Sequence, residues 1–304
     1  MANIAASVRQ RLLNLSRARK RPFQEIMQHF VMERFLYRLS QSEYADCFVL
    51  KGALMLQVWD SPQTRPTMDI DMLGRISNQQ EYLLASIRNL LTTPVEKDGL
   101  LFDIDSLQTE TITQDADYQG VRVRGQVTLD TARARVQLDI GFGDIICPEP
   151  MRMSYPTLLD FPAPQLLCYS RESAIAEKLQ AMVVLGTLNS RMKDFYDIWL
   201  LSQQFDFNLQ ELVGATTATF KQRQTALPDQ PLFDDQFATE KQQQWRAFIR
   251  RMGENLPVET DFAFVLESIQ VFVGEAINLH QKGSGEYVWP AGGVWQKLQP
   301  PTAG

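Results

Sequence analysis

Three aspartates in two short stretches have the spacing that phosphoryl-transfer chemistry needs. In RPTMDIDML, residues 65–73, Asp69 and Asp71 lie two apart in an alternating pattern. On a strand, residues i and i+2 share a face. The two carboxylates therefore project together, with Met68, Ile70 and Met72 expected on the core side. Carboxylates this close repel, and in an empty pocket one takes up a proton. A divalent cation removes the repulsion, and hard Mg²⁺ (or Mn²⁺) prefers carboxylate and phosphate oxygens. The pair alone is more often just a polar strand face. RVQLDIGFGD, residues 135–144, adds a third carboxylate. Val136, Leu138 and Ile140 share one face there, and Arg133, Arg135, Gln137 and Asp139 the other. If the two strands are neighbours, Asp69, Asp71 and Asp139 form one cluster. Two metals held there would clamp the attacking and leaving oxygens of a phosphoryl displacement. Asp139 could also accept the proton of an attacking hydroxyl.

Other groups could serve the same chemistry. Lys51-Gly52-Ala53 follows a short apolar run and precedes a possible helix, where backbone N–H groups bind phosphate and glycine permits close approach. The same turn is also ordinary strand-end chemistry. Lys178 shares a helix face with Ala174, Ala181, Met182 and Leu185, so its ammonium needs an anion; a triphosphate or Asp194 would serve, and so would a plain interdomain salt bridge. Asp194 and Asp197 share a face near a helix N-terminus, where negative charge is favourable. Asp194 is the functional candidate of the two, and Asp197 the structural one. Arg191 and Lys193 precede that helix and could reach phosphate oxygens. Arg133 and Arg135 are either a phosphate track or exposed strand arginines.

Periodicity supplies the elements that must hold these groups. Residues 4–41 are helical with a break near Arg21-Pro22, and Phe23, Ile26, Met27, Phe30, Val31, Phe35 and Leu39 recur at helical spacing. Phe48-Val49-Leu50 is a short buried run, 68–73 a strand and 77–95 an amphipathic helix. Residues 101–104, 120–129 and 133–142 alternate as strands, the last two joined by a hairpin turn at 129–132. Prolines at 148, 150, 156, 162 and 164 mark a crossing between domains. Helices follow at 170–186, 193–205, 208–222, 237–252 and 259–281. The tail from 284 lacks periodicity and is expected to be irregular.

The totals narrow the classes. With 304 residues, 44% of them hydrophobic, the chain can bury a substantial core. Net charge is −6, yet the first 40 residues carry eight Lys/Arg against two Glu, an asymmetry that permits a nucleic-acid contact or a solvated helix face. Cys47, Cys147 and Cys168 are far apart and the chain has only two histidines, His29 and His280, so a zinc site is not expected. No signal-peptide pattern and no segment approaching a membrane span is read, which suggests a cytoplasmic protein with no membrane partner.

Taken together, KGALML with RPTMDIDML, SAIAEKLQAMV, SRMKDFYDIWLL and the stretch FATEKQQQWRAFIRRM resemble the AbiEii/AbiGii toxin family, within the DNA-polymerase-β-like nucleotidyltransferase superfamily. The similarity spans about residues 45–252. It implies an α+β fold, a mixed sheet flanked by helices, with a helical C-terminal domain and an active site in a cleft. The domains expected on this basis are N-terminal helices (1–44), a nucleotidyltransferase domain (45–164), a helical domain (165–283) and an irregular tail (284–304). The resemblance further implies a metal-dependent nucleotidyltransferase toxin of a toxin–antitoxin or phage-defence system. It would transfer a nucleotide from an NTP to RNA, most plausibly a tRNA 3′ end, and a cognate antitoxin is the expected partner. Carried over residue by residue, Gly52 matches the phosphate-binding turn, with Ala53 where many relatives have Gly or Ser. Asp69 and Asp71 match metal ligands, Lys178 the Ala-Glu-Lys lysine, and Asp194 the Lys-Asp-x-x-Asp aspartate. Asp139 is placed by strand pattern, and Arg65, Lys178, Arg191 and Lys193 are the expected NTP contacts. Alternatives are transfer to a protein or small molecule, transfer of a phosphate instead, or a non-catalytic nucleotide- or RNA-binding module.

Overall fold

The apolar spacing of the first 41 residues gives two helices, α1 (Ile4–Arg19) and α2 (Phe23–Gln41). The structure, a computed structural model, describes residues 3–61, 67–115, 118–228, 233–252, 259–283 and 285–298. Asn3 caps α1 by accepting from the Ala6 N–H, and Lys20 ends it in the left-handed region. Pro22, whose fixed φ suits a helix entry, opens α2.

Next come β1 (Phe48–Lys51), a 3₁₀ turn at Gly52–Leu54, the short α3 (Met55–Val58), β2 (Ile70–Gly74) and α4 (Gln80–Leu91). They are followed by β3 (Leu100–Asp115), β4 (Tyr118–Leu129), β5 (Ala132–Phe142), β6 (Met151–Ser154) and β7 (Gln165–Cys168). These strands form one sheet in the order β3-β4-β5-β2-β1-β7-β6. The β2–β5 and β1–β7 pairs are parallel and the rest antiparallel. The sheet's apolar face, including Leu50, Ile70, Met72, Val136, Leu138 and Ile140, shares a core with Phe30, Phe35 and Leu36 of α2 and with Leu83, Ile87 and Leu90 of α4.

The second unit holds α5 (Arg171–Leu185), α6 (Met192–Gln204), β8 (Phe207–Asn208), α7 (Leu209–Gln222), α8 (Asp235–Met252) and α9 (Phe262–Ile269). A π turn (Gln270–Gly274), α10 (Glu275–Gln281), β9 (Tyr287–Trp289) and β10 (Gln296–Lys297) complete it. Phe195, Phe237, Trp245 and Phe262 pack ring against ring in its core, Trp245 stacked on Phe262 and Phe195 edge-on to it. The two compact units are Met1–Asp144 with Pro150–Tyr169, and Ile145–Glu149 with Ser170–Gly304.

Several expectations need correction. The strand carrying the aspartate pair begins at Ile70, so Met68 sits in a bend and is 52% exposed instead of facing the core. β3 extends far past 104 because Thr and Ile residues continue the pattern to Asp115. The helix expected over 77–95 is α4, confined to Gln80–Leu91. The proline-rich stretch contains β6, which pairs with β7 at the sheet's edge, where a strand tolerates neighbouring prolines. The tail is not irregular throughout: β9 pairs with β10 on one side and β8 on the other, and Trp289 donates its indole N–H to the Ser202 carbonyl at 2.8 Å.

One continuous helical run, Phe262–Gln281, has 20 residues and is long and apolar enough, by length and composition, to match a membrane span. Its Phe262, Val265, Ile269, Phe272 and Ile277 are buried inside the second unit. The basic N-terminal segment is only partly a free cationic face, with Arg17, Arg19 and Lys20 exposed. Arg34 and Arg38 are buried and ion-paired with Glu33 and Asp98, while Arg9, Arg11 and Arg21 pair with Asp130, Asp160 and Glu25. Burial pushes the Glu33 carboxyl up to about 7, against the opposing pull of the Leu158 N–H donated to it.

Candidate functional site

Register in the sheet decides which polar side chains meet. Asp71 of β2 lies opposite Asp139 of β5. Lys51 of β1 lies opposite Asp71, Arg122 of β4 opposite Asp139, and Glu110 of β3 opposite Arg122. Directly opposed residues share a face, so one row across five strands reads Glu110, Arg122, Asp139, Asp71, Lys51. Charges alternate along it except at Asp139 and Asp71.

At that like-charged step Asp69 joins, and one carboxylate oxygen from each of Asp69, Asp71 and Asp139 lies within 4.8 Å of the others. Asp69 arrives from the bend before β2, held by Thr67, whose hydroxyl donates to its Oδ1. Gln28 of α2 ties the two segments together. Its buried amide donates to the Met68 carbonyl at 3.1 Å and to the Arg135 carbonyl at 2.7 Å. Three carboxylates at this spacing, with hard oxygen donors, suit a divalent cation such as Mg²⁺ or Mn²⁺.

Gly52 packs directly on the cluster. Its φ is +73°, and a Cβ built there would lie 2.1 Å from Asp71 Oδ2. Only glycine meets both demands. Ala53 is buried, and α3 behind the turn has only four residues.

Flanking cations complete the row. Lys51 Nζ is 2.9 Å from Asp144 Oδ2 and lies over the Tyr169 ring, 5.1 Å from its centroid. The Arg122 guanidinium donates from Nε to Asp139 Oδ1 at 2.7 Å and from Nη2 to Oδ2 at 2.6 Å. That hydrogen-bonded pairing pushes the pKa of Arg122 further above its ordinary range. Gln137 donates to Asp139 Oδ1 at 3.3 Å. Arg133 and Arg135 are exposed on the same face of β5.

In the second unit, Lys178 Nζ lies 3.2 Å from Asp194 Oδ1 and 2.9 Å from Asp197 Oδ2. Arg191 Nε lies 2.8 Å from Asp194 Oδ2. Asp197, expected to be only structural, is thus the nearer partner of Lys178. Arg191 occupies the N-cap position of α6, while Lys193 lies inside its first turn and is exposed. Arg65 lies outside the described residues. Sequence reasoning missed Lys51 as a member of the row, along with Arg122, Asp144, Gln28 and Thr67. The alternation of VRVRG around Arg122 was readable, but not which strand it would adjoin.

A family model described as nucleotidyl transferase AbiEii toxin, type IV toxin–antitoxin system, matches residues 34–268. The chain belongs to this family. As an AbiEii protein it is an enzyme, a nucleotidyltransferase of the toxin–antitoxin class. A candidate nucleotidyltransferase from H. pylori superposes with a TM-score of 0.47 at 16% identity, covering 84% of this chain and 97% of its own. JHP933 from Helicobacter pylori gives 0.46 at 12% identity, covering 85% and 96%. A comparison with curated proteins returns no match. In the AbiEii chain the carboxylate cluster and the Gly52 turn fall inside the matched region, as do Lys178 and Asp194.

Proposed function

We propose that this AbiEii chain transfers a nucleoside monophosphate from an NTP to an RNA hydroxyl, with a tRNA 3′ end as the acceptor, and so blocks translation and growth. The observation that supports the reading is the convergence of Asp69, Asp71 and Asp139 within 4.8 Å on the face flanked by Lys51 and Arg122. These three carboxylates would hold Mg²⁺ or Mn²⁺, which when bound neutralises their repulsion and stabilises charge developing on phosphoryl oxygens.

The chain's own residues carry the rest. Thr67 orients Asp69, and Gly52 leaves Asp71 the room that a side chain would take. The acceptor hydroxyl attacks the α-phosphorus, its proton passes to Asp139, the bond to the bridging oxygen breaks and pyrophosphate leaves. Exposed Arg133 and Arg135 would meet the acceptor's phosphates. Of the N-terminal cations, exposed Arg17, Arg19 and Lys20 would serve the same role. Lys178, held by two acids with Arg191 beside it, has the chemistry to exchange those partners for triphosphate oxygens. NTPs and tRNA place the reaction in the cytoplasm, and a type IV antitoxin is the expected counterpart.

The test is incubation of the purified chain with each NTP, labelled at the α- or the γ-phosphate, with total RNA and Mg²⁺. Label from the α-position in RNA of tRNA size supports the reading. Label from the γ-position, or label in protein, would replace it with phosphate transfer or a protein acceptor.

A further inference from the structure

Asp139 already pairs with a cation of the protein itself. Both of its oxygens accept from the Arg122 fork, at 2.7 and 2.6 Å, the bidentate geometry that makes such pairs strong. A carboxylate has about four acceptor positions, so a divalent ion can still approach. It then meets a fixed positive charge one residue away across the sheet. Arg122 also has somewhere to go. Glu110 Oε1 lies 3.5 Å from its Nη1, on the side away from the cluster, and the Arg122 side chain keeps 25% of its surface exposed. Arg124 Nη1 lies 3.0 Å from the same Glu110 oxygen, which fixes that carboxylate in place.

We propose that Arg122 is a positioning residue that acts as a resident counter-ion, competing with the divalent cation for Asp139 and shifting its hold toward Glu110 when the cation enters. The inference rests on the metal-binding reading of the three aspartates. Its consequence is that the protein's affinity for metal is set below what three carboxylates alone would give. The Arg122 fork meanwhile holds Asp139 in one orientation while no cation is bound. Arg122 and Glu110 should therefore act on metal affinity in opposite directions.

The experiment measures Mn²⁺ binding to the full-length protein without nucleotide, by electron paramagnetic resonance, alongside transfer turnover. Removing one positive charge at this partly exposed site should tighten Mn²⁺ binding in Arg122→Gln about tenfold, near 1.4 kcal/mol. Turnover should nevertheless fall, because Asp139 is no longer oriented. Arg122→Lys, which keeps the charge but loses the fork, should bind Mn²⁺ as the unmodified protein does. Glu110→Gln, a change at a half-exposed side chain, should weaken Mn²⁺ binding by about threefold, because Arg122 loses its alternative partner. Unchanged or weaker binding in Arg122→Gln overturns the proposal, and if that variant does not fold, unchanged or tighter binding in Glu110→Gln does so. Asp71→Asn separates the two readings. If it abolishes Mn²⁺ binding while the Arg122 and Glu110 variants change nothing, only the counter-ion role fails. If the unmodified protein binds no Mn²⁺, or Asp71→Asn binds it equally well, the metal site itself fails.

Discussion

Gly52→Ala would place a methyl group where the Asp71 carboxylate now lies. The built Cβ sits 2.1 Å from Asp71 Oδ2, 2.7 Å from its Cβ and 2.8 Å from its Cγ, so moving the carboxylate tip alone does not relieve the overlap. Two costs combine. A non-glycine residue at φ +73° is strained by about 1–2 kcal/mol. Displacing a packed side chain adds about 1–3 kcal/mol. A total near 3 kcal/mol should lower the Tm of a unit this size by about 6–12 °C. The effect on catalysis should be larger, because a shift of about 1 Å in a reacting group costs on the order of 100-fold. The decisive assay is a double-mutant cycle on thermal stability with Asp71→Gly. Removing the Asp71 side chain leaves only the backbone strain, so the Gly52→Ala penalty should shrink by at least about 1 kcal/mol. A penalty of equal size in both backgrounds would refute the reasoning that Gly52 is required by its contact with Asp71.

Glu33, raised to about 7 by burial, binds its proton more tightly folded than unfolded. Its contribution to stability is therefore fully present below its ordinary 4.5 and falls by about 3 kcal/mol as pH rises to about 7; in denaturant titrations from pH 4 to 8, the difference between the unmodified protein and Glu33→Gln should follow this slope. Lys178→Met removes the ammonium shared by buried Asp194 and Asp197, leaving Asp194 its Arg191 partner, and should destabilise by about 3 kcal/mol. Adding Asp197→Asn should restore part of that loss in a thermal melt. A melt of Lys178→Met that matches the unmodified protein would show that the cluster is not held by its ammonium.

Alternation made the faces of the key strands readable, and neighbour relations were not. Asp71, Asp139 and the buried Val136, Leu138 and Ile140 follow directly from period-two patterning. That β2 lies beside β5, with Asp71 opposite Asp139, depends on the course of the whole chain. Lys51 and Arg122 became part of the row only through that register, since periodicity assigns a face and never a partner. Met68 was misplaced because the pattern extends two residues beyond the strand it predicts. Arg34 and Arg38 read as solvated charges, and only the fold reveals Asp98, some 60 residues away, burying with them. Strands of two to four residues, such as β6 and the pair β9 and β10, are too short to carry a periodic signal, and their pairing comes from tertiary contact.

The central claim is that Asp71 and Asp139, opposite each other on adjacent strands, act as a single site for nucleotide transfer. Its most direct test is the transfer of α-labelled nucleotide by purified Asp71→Asn, Asp139→Asn and the double variant, each verified as folded. Residues that work as a unit are strongly non-additive, so each single change should bring transfer to background and the double should lose no more. Transfer by Asp71→Asn at more than about a tenth of the unmodified rate, less than 1.4 kcal/mol in the barrier, or independent multiplicative losses in the double variant, would contradict the claim.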